Sequence, residues 1–253
     1  MKAKEPDWYK KIWTLDMKDM SWVEDTKREV DFLIQICHLQ GSERILDLAC
    51  GFGRHAIEFA KRGYEVVGVD ITSAYIEDAK KSAADLGLHN VTFMQGDIRD
   101  VLFEHEFDLV LNLADGAIGY LENDMENLKI FDVVAKALRP GGHHVCDIVN
   151  AEYADMHFPL KTWDSGTKSL SISEFDWNRE TRVMLYGSLE MNYGELVRQP
   201  EIKEGDPTRL YTIEEIRHIM NARNMVVEDA FCDYKGTKAS SLGFQMIVLS
   251  HCR

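Results

Sequence analysis

The residues best suited to chemistry gather in one short stretch, Ile45-Leu-Asp-Leu-Ala-Cys-Gly-Phe-Gly-Arg-His55. Ile45, Leu46 and Leu48 are strand formers, Gly51 and Gly53 suit a tight turn, and the residues after Gly53 can open a helix. Such a turn lets the backbone approach a ligand that a Cβ would hold off. A second acid, Asp70, closes the run Tyr64-Glu-Val-Val-Gly-Val-Asp70. At the end of a second parallel strand, a carboxylate can hold a ribose by its two hydroxyls. The turn Gly51-Phe-Gly-Arg-His-Ala56 meets only the relaxed dinucleotide pattern, with Ala56 in the third glycine's place. It therefore fits a dinucleotide or another adenosine-bearing cofactor. No Gly-Lys-Ser/Thr follows, which argues against a P-loop nucleotide hydrolase. Asp47 lies inside the strand, where a carboxylate would repel a pyrophosphate but favour a cationic ligand.

These residues need elements to hold them. The first 20 residues carry Trp8, Tyr9, Ile12, Trp13, Leu15, Met17 and Met20 at helical spacing and predict a short helix, followed by a second from Trp22 to Leu39. Strands at 44–49, 65–69, 91–94, 107–113 and 143–149 alternate with helices at 54–62, 74–86 and 124–138. That alternation specifies a Rossmann-like α/β fold with a mostly parallel sheet. After Asn150 the pattern breaks into three extended runs, Lys168 to Trp177, Thr181 to Tyr193 and Glu195 to Ile202, which read as an inserted antiparallel β meander. Val183, Leu185, Leu189 and Met191 share one parity and are expected on its covered face. Thr212 and Glu215 form a capping box for a further helix. The last two strands, from Met225 and Phe244, are joined by too short a segment for a crossover and must pair antiparallel. The expected sheet is seven-stranded with an antiparallel last strand. The expected domains are a helical cap (1–40), the main domain (41–150 and 207–253) and an inserted subdomain (151–206).

Composition narrows the classes. A formal charge of -14 disfavours wrapping of nucleic acid, which needs clustered Lys and Arg. The five cysteines include no C-x-x-C pair, so neither a disulfide framework nor a zinc site is expected, and no compact ligand cluster suggests another metal. No apolar run has signal-peptide or membrane-spanning length, so the expected location is the cytoplasm, without membrane association. The expected assembly is a monomer or homodimer.

A parallel sheet binds at the carboxyl ends of its strands, which puts Cys50 to Gly53, Asp70, Asp97-Ile98 and Asn112 to Gly119 on one edge. Asp47-x-x-x-Gly51-x-Gly53, Asp70, Gly96-Asp97 and Leu138-Arg-Pro-Gly-Gly142, in that order over about 40–150, resemble the motifs of class I S-adenosylmethionine-dependent methyltransferases. The antiparallel end of the sheet is similar too. The resemblance implies S-adenosylmethionine as cofactor and S-adenosylhomocysteine as product. It also implies that Gly51 and Gly53 pack near the adenosyl and methionyl parts, that Asp70 with Ile71 binds the ribose, and that Asp97 accepts from the adenine amino group with Ile98 beside the ring. Asp47 would lie near the methionine amino end, and Cys50 and Asn112 complete the implied cofactor shell. Cys50 departs from the glycine frequent at its position.

Leu113-Ala-Asp-Gly-Ala-Ile-Gly-Tyr-Leu121 has two glycines and an aromatic and suits the floor of a small pocket. By the same resemblance Tyr9, Trp13, Tyr120 and Trp163 are candidate substrate or lid residues, with Gly116 in the pocket floor; Asp115 and Tyr120, on that segment, and His157, which follows the fifth strand on the active edge, are candidate catalytic groups. The expected reaction is methyl transfer to nitrogen or oxygen of a small metabolite, with an amine preferred because the chain is acidic. A nicotinamide oxidoreductase using the same turn, and a non-catalytic cofactor-binding subunit, are the alternatives. His143 and His144 begin a strand at the opposite edge, where structural roles are expected.

Overall fold

The computed structural model describes residues 1–166, 168–196 and 199–253, with all side chains but those of Ser21 and Trp22. The elements run β1 (Lys2–Ala3), α1 (Thr26–Ile36), β2 (Arg44–Leu48), α2 (Arg54–Lys61), β3 (Glu65–Asp70), α3 (Ser73–Asp85), β4 (Val91–Gln95), β5 (Phe107–Asn112), α4 (Asp124–Ala137), β6 (Leu138–Val149) and α5 (Ala151–His157). They continue with β7 (Leu160–Ser165), β8 (Ser169–Asn178), β9 (Val183–Asn192), β10 (Glu204–Arg209), α6 (Ile213–Asn221), β11 (Met225–Phe231) and β12 (Gln245–Cys252). Seven strands form the main sheet in the order β11-β12-β6-β5-β2-β3-β4, with β12 antiparallel to both its neighbours, as the sequence predicts.

The sheet is covered on both faces because alternate residues of each strand point to opposite sides. Leu46, Leu48, Val67, Val69 and Val110 join α4, α6 and the N-terminal aromatics Trp8 and Tyr9 in one core. Ile45, Val66, Leu109 and Leu111 join α1, α2 and α3 in the other. Each fully buried side chain of this size stabilises the fold by about 1.5–3 kcal/mol. Polar groups gather where the strands stop.

The N-terminal segment is not the expected helix. It makes separate 3₁₀ turns at Trp8–Lys10, Leu15–Asp19 and Ser21–Asp25, interrupted where Thr14 and Met20 are extended. Tertiary bonds take over from a helical ladder there: Tyr75 OH donates to the Thr14 carbonyl at 2.9 Å. The segment is thus a strap laid over the carboxyl edge of the sheet. The fifth strand of the main sheet starts at Leu138, earlier than expected, because Leu138 pairs with Phe107 across a register shift that absorbs the Pro140-Gly-Gly turn.

The insertion also differs. It holds four antiparallel strands, β7 to β10, with short β1 parallel to β10 at the edge. Among the described residues of Glu195 to Ile202 there is no strand; Val197 and Arg198 lie outside the described residues, and the last strand is Glu204–Arg209. Near the main domain the buried side chain of β9 is Met184, of the other parity, while farther along Leu189 and Met191 keep the expected side, with Ser188, Glu190 and Asn192 exposed. Cross-strand pairs Trp177↔Met184 and Phe175↔Tyr186 bring large side chains together, and these pack with Phe158 and Phe244 against the main domain. Aromatic area outweighs the aliphatic stripe. Helix α5, invisible to helical periodicity at its length, is started by Asn150, whose side chain accepts from Glu152 N–H.

β10 locks onto the loop after β5. Arg209 N–H donates to the Gly119 carbonyl at 2.8 Å, and a Cβ at Gly119, where φ is +89°, would lie 2.1 Å from the Arg209 carbonyl oxygen. Gly119→Ala should therefore cost about 2–4 kcal/mol in urea unfolding, since strain and overpacking add. A loss below about 0.5 kcal/mol would mean that the two segments do not need this approach. No described helix is long and apolar enough to cross a membrane.

Candidate active site

β2 ends in Leu48, and Ala49 and Gly51 then take left-handed conformations that turn the chain back to α2. Gly53, the N-cap of α2, is left-handed at φ +77°, and a Cβ there would meet the Phe93 ring at 2.6 Å. Asp70 ties this turn to the next strand. Its Oδ2 accepts from Gly51 N–H at 2.9 Å and its Oδ1 from Thr72 N–H at 2.8 Å. Burial raises the Asp70 carboxyl above its ordinary range, against those two N–H donors. A carboxylate has about four acceptor sites, so the two bonds leave capacity for a diol.

Asp47 is 2% exposed, and its Oδ2 has no hydrogen-bond partner among the described residues. Burial pushes its carboxyl up to about 7; Arg54 opposes the rise and Asp70 adds to it. A buried acceptor without a donor needs a reason. Other buried acids lie at the same sheet edge: Asp147, on β6 two strands away, carries no mark used above, is 4% exposed, and its Oδ2 accepts from Tyr234 OH at 2.9 Å. Burial and then the neighbouring Asp115 push Asp147 up to about 7 as well. Glu29 of α1 is also buried, paired with Arg54 and with His55 Nε2 at 2.7 Å. His55 is driven down to about 4 by burial and by Arg54, so it stands neutral.

The segment after β5 is more constrained than its sequence suggests. Ala114, Asp115, Gly116 and Ala117 are all left-handed, with φ of 51°, 67°, 51° and 60°. Each non-glycine residue there costs about 1–2 kcal/mol, so the turn must be held. Asp115 N–H donates to the Asp147 carbonyl at 2.8 Å, and Asn112 Nδ2 donates to the Gly116 carbonyl at 3.0 Å. A Cβ on Gly116 would fall 2.5 Å from that of Asn112. Asn112 is fully buried, and its Oδ1 lies 3.2 Å from His144 Nε2. Its side chain therefore serves the turn. His144 is buried mid-strand and lowered to about 3 by desolvation.

The turn presents Asp115, whose Oδ2 accepts from Tyr120 OH at 2.8 Å. Burial raises Asp115, against that bond, and raises Tyr120 together with the charges of Asp115, Asp206 and Tyr186. The inserted sheet thus reaches this hydroxyl through β9 and β10. Tyr120 stacks on Trp13 at 6.2 Å between ring centres, and Trp8 lies 5.0 Å away. Trp8 Nε1 is buried without an acceptor among the described residues. Tyr9 donates to Glu122 at 3.1 Å, and Glu122 accepts from Arg99.

Arg99 also grips Asp97, with Nη2 at 2.5 Å and Nε at 2.9 Å. Burial disfavours the Asp97 charge, but the Arg99 bonds outweigh it and hold the carboxyl below its ordinary range. Ile98 and Cys50 are buried, and Ile71 is half-buried against the same core as Ile98. Two expected residues do not join the group. His157 Nδ1 lies 2.9 Å from the Tyr153 carbonyl and its ring stacks on Tyr153, within the packing of α5. Trp163 is 71% exposed on β7, the margin of the second sheet away from β10.

The residues fit S-adenosylmethionine by their chemistry: a carboxylate with spare acceptor sites at the second strand end, an orphaned buried acceptor, and several acids around one arginine. Of the groups the sequence reading missed, Asp147 had a signal. An acid interrupting the apolar run Val145-Cys-Asp-Ile-Val149 repeats the pattern of Asp47. Tyr234, Arg99 and Glu29 carry no comparable mark.

Asp147 gives a pH signature. Its folded value lies above the ordinary aspartate value of 3.8, so its stabilising effect is complete below that pH and is lost as pH rises through about 7. Asp147→Asn should therefore gain stability relative to the parent chain between pH 4 and 7 and level off above, in urea titrations at several pH values. A constant difference would place Asp147 at an ordinary acidity.

A family model described as a methyltransferase domain matches residues 39–191. Over 155 residues the chain is 30% identical to a putative methyltransferase, YqeM, of Bacillus subtilis strain 168, covering 54% of this chain and 62% of that one. The chain spans less than two thirds of that relative and 13% to 18% of the RNA methyltransferases matching shorter stretches. An S-adenosylmethionine-dependent methyltransferase from Clostridium acetobutylicum superposes with a TM-score of 0.75 at 20% identity, covering 93% of this chain and 96% of that one. CalS10, an amino pentose methyltransferase from Micromonospora echinaspora solved with S-adenosylmethionine, gives 0.67 at 17% identity, with 93% of each chain covered.

Proposed function

The chain belongs to the class I S-adenosylmethionine-dependent methyltransferase family, and on that premise we propose that it methylates a nitrogen or oxygen of a small metabolite held between the N-terminal strap and the left-handed turn after β5. The pairing of Asp115 with Tyr120 beneath Trp8 and Trp13 carries this reading. Aromatic faces and a carboxylate together attract an amine, as cation and as hydrogen-bond donor. The amino pentose methyltransferase among the structural neighbours is consistent with a substrate that bears an amine. The acidic chain disfavours RNA.

When bound, S-adenosylmethionine supplies a methyl on a sulfonium sulfur. In the proposed arrangement Asp70 and Ile71 hold the ribose, Asp97 and Ile98 the adenine, and Asp47 with the Cys50 to Gly53 turn the amino-acid end. Asn112 acts through its hold on the turn. Asp115 orients the acceptor nitrogen and takes the proton that an ammonium must lose before its lone pair can attack. A carboxyl raised by burial suits that task. Tyr120 fixes the Asp115 rotamer, and Trp8, Tyr9 and Trp13 exclude water, which strengthens these polar contacts.

Labelled methyl transfer from S-adenosylmethionine to panels of amino sugars and other small amines, hydroxyl compounds and RNA tests the reading. Label should appear on a small amine or hydroxyl compound, and Asp115→Asn should lower kcat about 100-fold while cofactor affinity stays. Label on RNA alone would overturn the proposal.

A further inference from the structure

Arg54 follows Gly53 as the first residue of α2. Its Nη1 donates to Thr26 Oγ1 at 2.9 Å and to Glu29, both on α1. Its side chain is only 11% exposed and that of its partner Glu29 only 9%. Its charge acts on the buried Asp47 of β2, Asp147 of β6 and Tyr234 after β11. The guanidinium therefore borders the space where the end of β2, the end of β6 and α1 converge.

If Asp70 and Asp97 mark the ribose and adenine ends, the far side of the Gly51 to Gly53 turn is left for the amino-acid end of the cofactor. That end carries an ammonium and a carboxylate. Asp47, with its unpartnered Oδ2, suits the ammonium. The carboxylate would meet Asp47, Asp147 and Glu29 and be repelled by all of them unless a cation stands beside it. Resting on the cofactor reading above, we infer that Arg54 binds this carboxylate, and that Thr26 and Glu29 are positioning residues that set its guanidinium. A planar guanidinium matches a carboxylate as a fork of parallel N–H donors, which a lysine cannot reproduce. Helix α1 thereby becomes part of cofactor recognition through the arginine it holds.

Calorimetric titration of the full chain with S-adenosylhomocysteine and with 5′-methylthioadenosine separates the possibilities. The second probe keeps the adenosine and thioether but lacks the amino-acid end. Because Arg54→Met alone would leave Glu29 buried and charged, the double variant Arg54→Met/Glu29→Gln is compared with Glu29→Gln. The added arginine change should weaken S-adenosylhomocysteine about 100-fold. 5′-Methylthioadenosine should bind within about twofold of its reference. Arg54→Lys should keep the preference for S-adenosylhomocysteine only in part. Equal weakening of both probes, or no weakening of S-adenosylhomocysteine, would overturn the role of Arg54. A parent chain that binds neither probe would overturn the cofactor reading and this inference with it.

Discussion

Everything at the carboxyl edge of this sheet depends on carboxylates kept out of water with too little positive charge beside them. Asp47 and Asp147 interrupt strands that are otherwise apolar and are almost wholly buried. Burial of a charge without a partner is expensive enough that such groups shift their proton affinity instead, and both stand near neutrality. Arg54 answers part of this charge and is itself held by Glu29 and Thr26. A cationic ligand beside them would relieve the rest.

The rest of the fold holds this region in place. Parallel strands bring Asp47, Asp70, Asn112 and Asp147 to neighbouring heights, and the left-handed turn after β5 is fastened from below by Asn112 and from the side by the Asp147 backbone. The second sheet docks through β10 on Gly119, which brings Asp206 and Tyr186 toward Tyr120. The strap closes the other side with Trp8, Tyr9 and Trp13. Local strain at Ala114 to Ala117 is tolerable because so many contacts fix the turn.

The sheet and its glycine turn were legible because strand periodicity and φ-positive glycines leave direct marks: Ile45 to Leu48, Gly53 and the Thr212–Glu215 capping box all sit where the residues suggest. Less legible were features set by contacts distant in sequence. The strap reads as helical by spacing, yet its bonds to α3 and its aromatic packing break it into turns. The meander's aliphatic parity misled near the main domain, where Met184 is the buried side chain and Phe175 reaches Phe244 beyond the insertion. His157 has the residue type for catalysis but is engaged by Tyr153 one helical turn away. Arg99 and Tyr234 could be found only once the chain was folded.

The central claim is that the acid-rich edge, under the strap and beside the left-handed turn, holds the cofactor with its sulfur facing the acceptor pocket. A crystal structure of the chain with S-adenosylhomocysteine tests it most directly. The account predicts the ribose on Asp70, the adenine beside Ile98 and the sulfur near the Leu113 to Leu121 segment. Density for the ligand elsewhere, such as the groove of about 500 Å³ lined by Arg99, Leu102, Glu106, Lys129 and Lys136, would contradict it.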